Sequence, residues 1–198
     1  MGHRVFSLLP VRACVAAGFL GIAFSATCAW ADADYPSYAI PDDALTPGAV
    51  NPRVTQDNIQ KTICKPKWVR KAGPSTSYLD LVKGLQLKRS DLADKRPNNY
   101  VEDFRIPLDV GGSPTDPGNL WPQRPGAGWN AGAKDKLEVY VQREVCAGRM
   151  KLADAQDVFR KNWVDVFHLY CGPKPDGPCN PPGTETQIQT PQVKPAGP

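Results

Sequence analysis

Along the chain, hydrophobic positions fall into six stretches separated by proline- and glycine-rich breaks. An apolar run from Ala13 to Ala26 follows Arg4 and Arg12. Thr55 can cap a short helix that ends near Thr62, before Pro66. Ser75 or Ser77 can cap a second helix, in which Tyr78, Leu81, Val82 and Leu85 recur at i, i+3, i+4 and i+7 and predict a buried stripe. From Phe104 to Val110 the pattern becomes extended and is broken by Gly111-Gly112 and by Ser-Pro, Asp-Pro and Gly-Asn pairs. The apolar pair Leu120-Trp121 follows, so Tyr100 to Gln123 reads as a β-hairpin with a long turn. Helical spacing then returns. Leu137, Tyr140, Val141 and Val145 predict a helix over about Ala131 to Ala147, stopped by Gly148. Leu152, Ala155, Phe159, Trp163, Val166 and Tyr170 predict a last helix over about Leu152 to Tyr170. One hairpin among helices makes the fold class α+β.

The remaining stretches set the boundaries. Arg4 and Arg12, the apolar run and Ala29-Trp30-Ala31 have the layout of a secretory signal peptide over residues 1–31, with cleavage near Ala31. The run is shorter than the roughly 20 residues that span a bilayer, so no stable membrane insertion is expected. The predicted location is secreted or periplasmic. Residues 32–51 carry acids and prolines without apolar periodicity and read as a flexible N-terminal arm. Residues 172–198 hold eight prolines and little to bury, and read as a disordered tail. The folded domain is then residues 52–171.

Export changes the cysteine count. Cys64, Cys146, Cys171 and Cys179 lie beyond the signal peptide, and in an oxidising compartment four cysteines imply two disulfides. Three pairings are possible. Cys64 with Cys146 and Cys171 with Cys179 is favoured, because the second pair brackets a short Gly/Pro loop and the first lies in segments predicted to be ordered. A zinc site built from all four competes poorly, since no CxxC spacing exists.

Charge adds a candidate partner. Arg53 to Arg105 holds twelve bases against six acids, and Lys61 to Lys71 holds five bases and no acid around Trp68. Bases interleaved with an aromatic suit a phosphate backbone and a stacked base. Lys65, Lys67, Trp68, Arg70, Lys71 and Arg105 are therefore the candidate contacts for a nucleic acid held without sequence preference. The alternative is a solvated loop whose Trp68 packs inward beside a disulfide.

The order strand, long turn, short strand and helix, with Asp103, Gly111-Gly112 and Asn119-Leu120-Trp121-Pro122, resembles the ββα-metal fold of the HNH nuclease superfamily, in particular its small secreted bacterial members. The resemblance implies a hairpin and helix that hold a divalent metal, Mg or Zn, with further helices packed on either side. It places Asp103 at a metal-ligand position and Asn119 at the asparagine that fixes the turn. It also places Phe104 where the family has the histidine base, and Gln142 where a helical histidine is expected. A phenyl ring takes no proton, and an amide oxygen is a weak ligand beside an imidazole. The resemblance thus implies a catalytically degenerate domain acting as a binding or structural module. The alternative is an active metal-dependent endonuclease with an altered site, drawing on acids such as Glu102, Asp109 or Glu138. His168, beside Phe167 on the last helix, reads as a packed or surface residue.

Overall fold

The apolar run from Phe104 to Val110 does not form one strand. In the computed structural model, which describes Pro36 and residues 39–179, strand β1 is Val101–Phe104 and pairs antiparallel with β2, Leu120–Gln123. The register sets Asp103 opposite Trp121 and Phe104 opposite Leu120. Past Phe104 the chain leaves the ladder and makes a 3₁₀ turn at Leu108–Val110, which buries Ile106, Leu108 and Val110 in the loop itself. Gly112 is required there, because a Cβ at that position would lie 1.7 Å from the Ile106 carbonyl oxygen. Another 3₁₀ turn, Pro117–Asn119, leads into β2.

Among the described residues, five α-helices surround the hairpin: α1 Trp68–Ala72, α2 Thr76–Arg89, α3 Ala131–Cys146, α4 Leu152–Arg160 and α5 Trp163–Cys171. The fold is α+β, with α2 packed on the hairpin and α3 packed on the loop between its strands. The segment after Thr55 is helical as expected but forms a 3₁₀ helix, Gln56–Lys61, whose start is closed by the Thr55 N–H donating to Asn58 Oδ1 at 3.0 Å. Ser75 caps α2 by accepting from the Tyr78 N–H.

The stripe expected on α2 is rotated. Leu81 and Leu85 are 62% and 46% exposed, whereas Val82 and Leu87 are buried. The hairpin decides this, because Gln86 donates from Nε2 to the Leu120 carbonyl at 2.7 Å and turns its own side of the helix inward. The single last helix is also corrected to two. Asn162 breaks it by accepting from the Val164 N–H at 3.0 Å, capping α5. The break lets Phe159, Trp163 and Phe167 all reach the main core, which they share with Ile59, Ile63, Val110, Leu137, Val141 and Val145. Trp129 meets Trp163 and Phe167 edge to face there.

The flexible-arm reading fails for residues 39–51, which are strapped across the hairpin loop. Ala39 is buried, and its carbonyl accepts from Trp163 Nε1 at 2.8 Å. Gly48 donates to Gly118, Asn51 to Gly111, and Ser113 back to Ala49, each at 2.8 Å, and Val50 bridges Gly112. Prolines between these residues remove donors without preventing their neighbours from pairing.

Both favoured disulfides are present. Cys64–Cys146 spans 82 residues and ties the segment before α1 to the end of α3, and Cys171–Cys179 closes a short loop after α5. Residues 172–179, read as the start of a disordered tail, form that loop. The signal peptide at 1–31 and the rest of the tail, 180–198, lie outside the described residues. Among the described residues, no helix is long and apolar enough to cross a membrane. Replacing Cys64 and Cys146 together by serine is expected to cost about 2 to 5 kcal/mol, as loss of a long-loop crosslink does. Denaturant unfolding would measure it, and an unchanged midpoint would show that the packing of α3 holds without the crosslink.

Candidate functional site

Lys134, Glu138 and Gln142 recur at i, i+4 and i+8 on α3 and so form one stripe along that helix. The side chain of Lys134 is only 1% exposed. Its ammonium donates to the Phe104 carbonyl at 2.7 Å and to Glu138 Oε1, lies 3.0 Å from Asp103 Oδ2, and sits 5.6 Å from the centre of the Phe159 ring. Burial opposes its charge, but Asp103 and Glu138 outweigh burial and raise its pKa. Burial likewise pushes the Glu138 carboxyl up, against the pull of Lys134.

The other carboxylate of this pair stands at the end of β1. Asp103 Oδ1 accepts from the Phe104 N–H at 2.8 Å, while Oδ2 is buried 3.0 Å from Lys134 Nζ as an ion pair and accepts no hydrogen bond. Phe104 is half-buried and contributes its backbone to both neighbours. Asn119 is fully buried and ties the loop together. Its Oδ1 accepts from the N–H groups of Ile106 (2.9 Å) and Ala49 (3.3 Å), and its Nδ2 donates to the carbonyls of Ile106 (3.0 Å) and Ser113 (2.9 Å).

Gln142 stands one turn beyond Glu138, and its Nε2 donates to the Ile63 carbonyl at 2.9 Å. It lines a cleft of about 540 Å³ between the segment before α1 and the end of α3, together with Lys65, Lys67, Arg70, Arg143 and Asp109. Asp109 is the one carboxylate in that lining. Burial raises its pKa, and Lys134 acts in the opposite direction. Lys67 adopts φ +67°, the left-handed region, and is the only non-glycine among the described residues to do so. Such strain is typical of segments held for a purpose other than stability.

The structure therefore gathers Lys65, Lys67, Arg70 and Gln142 and separates the rest of the candidate set. Trp68 is half-buried and packs against the main core, so the inward-packing alternative is the one observed and a base cannot stack on its buried face. Arg105 is excluded from binding. It is 4% exposed and is consumed by Asp43 at 2.6 Å, the Thr46 carbonyl at 2.5 Å and the Arg160 carbonyl. Lys71 is exposed but does not line the cleft. His168 packs against Trp129, with ring centres 4.9 Å apart. The sequence assigned no site role to Arg143 or Lys134. The four-residue steps from Lys134 to Glu138 and from Glu138 to Gln142 were a usable signal for Lys134, and Arg143 is the chain neighbour of Gln142 in the cleft lining.

Glu102, next to Asp103 on β1, is a third unusual acid. Both of its carboxylate oxygens are buried and accept no hydrogen bond. Burial pushes its pKa up to about 8, with Lys83 opposing and Asp103 adding to the rise. A second cleft, of about 530 Å³, lies between residues 40–46, the end of α2 and Trp121, and it contains none of the candidate residues.

A divalent metal fits this arrangement poorly. Asp103 and Glu138 are already paired to an ammonium, Gln142 turns its amide nitrogen to the backbone, and Phe104 has no donor atom. Among the described residues, no group of three or more His, Cys, Asp or Glu is placed to hold a metal ion. Comparison of the chain with family models, with characterised proteins and with solved structures returns no match.

Proposed function

We propose that this chain is a secreted or periplasmic HNH-nuclease-like domain that has lost phosphodiester hydrolysis and acts as a binding module for a polyanion, nucleic acid held without sequence preference. The observation that carries the reading is the cleft, where Lys65, Lys67, Arg70 and Arg143 converge beside Gln142. Four bases against the single carboxylate of Asp109 leave the cleft an excess of positive charge, which draws an extended anion. The positions that would perform hydrolysis in the family it resembles offer no base, since Phe104 cannot take a proton. The hairpin, turn and helix serve instead to hold the cleft open: Asn119 fixes the loop that presents Asp109, and the Cys64–Cys146 bond fixes one wall against the other. The paired disulfides suit an oxidising compartment.

Anisotropy titrations of labelled duplex DNA against salt test this. Four phosphate contacts predict a slope of log K against log salt of about −3 to −4, and each lost contact reduces it by about 1. Arg70→Ala, Arg143→Ala and Lys67→Gly, the last retaining the left-handed backbone, should each show that reduction, uniformly across sequences. Undetectable binding at about 50 mM salt, the low end of the usual range, would remove nucleic acid as the partner. The alternative of an active endonuclease with an altered site has one favouring observation, the Asp109 carboxylate in the cleft.

A further inference from the structure

The cation between β1 and α3 is part of the chain. Three oxygens from three groups converge on Lys134 Nζ: a strand carboxylate (Asp103 Oδ2, 3.0 Å), a strand-end carbonyl (Phe104, 2.7 Å) and a helix carboxylate (Glu138 Oε1). The ammonium donates to Phe104 and Glu138 and pairs with Asp103 Oδ2 by charge alone. The Phe159 ring closes on the same charge. Carboxylates from a strand and a helix with a backbone carbonyl are also the hard oxygen donors that suit Mg²⁺, Mn²⁺ or Ca²⁺. A second cation in this place would stand beside a buried charge of like sign, so ammonium and metal exclude one another.

We propose that Lys134 is the resident cation of this site: it gathers the oxygens that a divalent ion would otherwise hold, and the native protein takes no divalent cation between β1 and α3 while that ammonium is present. This inference stands on the Lys134 geometry and holds whichever anion the cleft takes. Lys134 is a positioning residue, fastening the end of the hairpin to the first half of α3. Its removal leaves two carboxylates facing each other around a space, and that space is a site for a hard divalent cation.

Mn²⁺ is the probe, read by the loss of its free electron-paramagnetic signal and by melting temperature on the full chain. Wild type should show no bound Mn²⁺ that depends on Glu138, and its melting temperature should ignore chelator. Lys134→Ala should melt lower without metal, bind one Mn²⁺ per chain and recover part of its melting temperature. Adding Glu138→Gln to that variant should abolish both effects. Lys134→Met, which fills the space without a charge, should melt lower and ignore Mn²⁺. Wild-type binding of one Mn²⁺ that is lost in Glu138→Gln would overturn the proposal. So would a Lys134→Ala chain that folds without responding to Mn²⁺, or one that stays unfolded in its presence, because the ion would then be unable to take the ammonium's place. Nucleic-acid binding is not read in this experiment, so failure here leaves the cleft reading to be judged by its own titration.

Discussion

Asn119→Ala should be the most damaging alanine substitution in the hairpin, lowering stability by about 3 to 5 kcal/mol in urea unfolding. The side chain is fully buried and makes four hydrogen bonds, to Ile106 twice, to Ser113 and to Ala49. Alanine leaves those four backbone groups without a partner, and a buried orphan costs about 1 to 3 kcal/mol unless water reaches it. Asn119→Asp should be no milder, because it keeps the acceptor for Ile106 and Ala49 but sets a buried carboxylate oxygen against the Ile106 and Ser113 carbonyls. The strap should loosen at the same time, since Ala49 loses its side-chain anchor, and protease should cut residues 39–51 faster in the variant. A loss below about 1 kcal/mol would mean that the loop is held by the Gly48–Gly118 and Asn51–Gly111 backbone bonds and that Asn119 is replaceable.

Glu102→Gln should make the protein more stable at pH 8 to 9 and flatten its pH dependence. Folding raises the Glu102 pKa from 4.5 to about 8, so between these values the native state holds a proton that the unfolded chain has released. Stability from the neutral form is complete below the unfolded value and is lost as pH rises through the folded one. Across this window the loss amounts to about 3 to 5 kcal/mol at most, taking 1.36 kcal/mol per pKa unit. Glutamine is neutral throughout and nearly isosteric, so the wild-type-minus-variant stability should slope downward from about pH 4.5 to 8. Glu138 shifts in the same direction, which is why the difference curve, and not the wild-type curve alone, isolates Glu102. A difference that does not vary with pH would show that Glu102 finds a compensating charge in the native state.

What the sequence revealed follows from how local each signal was. Hairpin, Ser75 cap and α3 were legible because each rests on neighbours in the chain: glycine pairs for the turn, a hydroxyl before an amide, and apolar spacing along one helix face. Both disulfides were legible from the even count and the bracketed loop. The strap at residues 39–51 was not, since its hydrogen bonds run to Gly111, Gly118 and Ser113, far along the chain, and an extended segment paired this way has no apolar period. Exposure of Leu81 and Leu85 came from the same cause, a partner surface that propensity cannot see. At the site, Asp103, Asn119 and Gln142 were placed by resemblance, whereas nothing along the chain revealed the burial of Lys134 or its partners. A buried lysine is rare unless it is paired, and its two carboxylate partners come from separate elements. Arg105 was misassigned for the converse reason: a base in a basic stretch looks available until Asp43, Thr46 and Arg160 are seen to consume it.

The central claim is that the site beside the basic cleft binds without cutting. Incubation of supercoiled plasmid with the purified mature protein in Mg²⁺, Mn²⁺, Zn²⁺ or chelator, alongside an Asp103→Ala control, tests it most directly. The account predicts that the plasmid is retarded at low salt and stays supercoiled in every condition. Metal-dependent nicking by wild type that disappears in Asp103→Ala would contradict it.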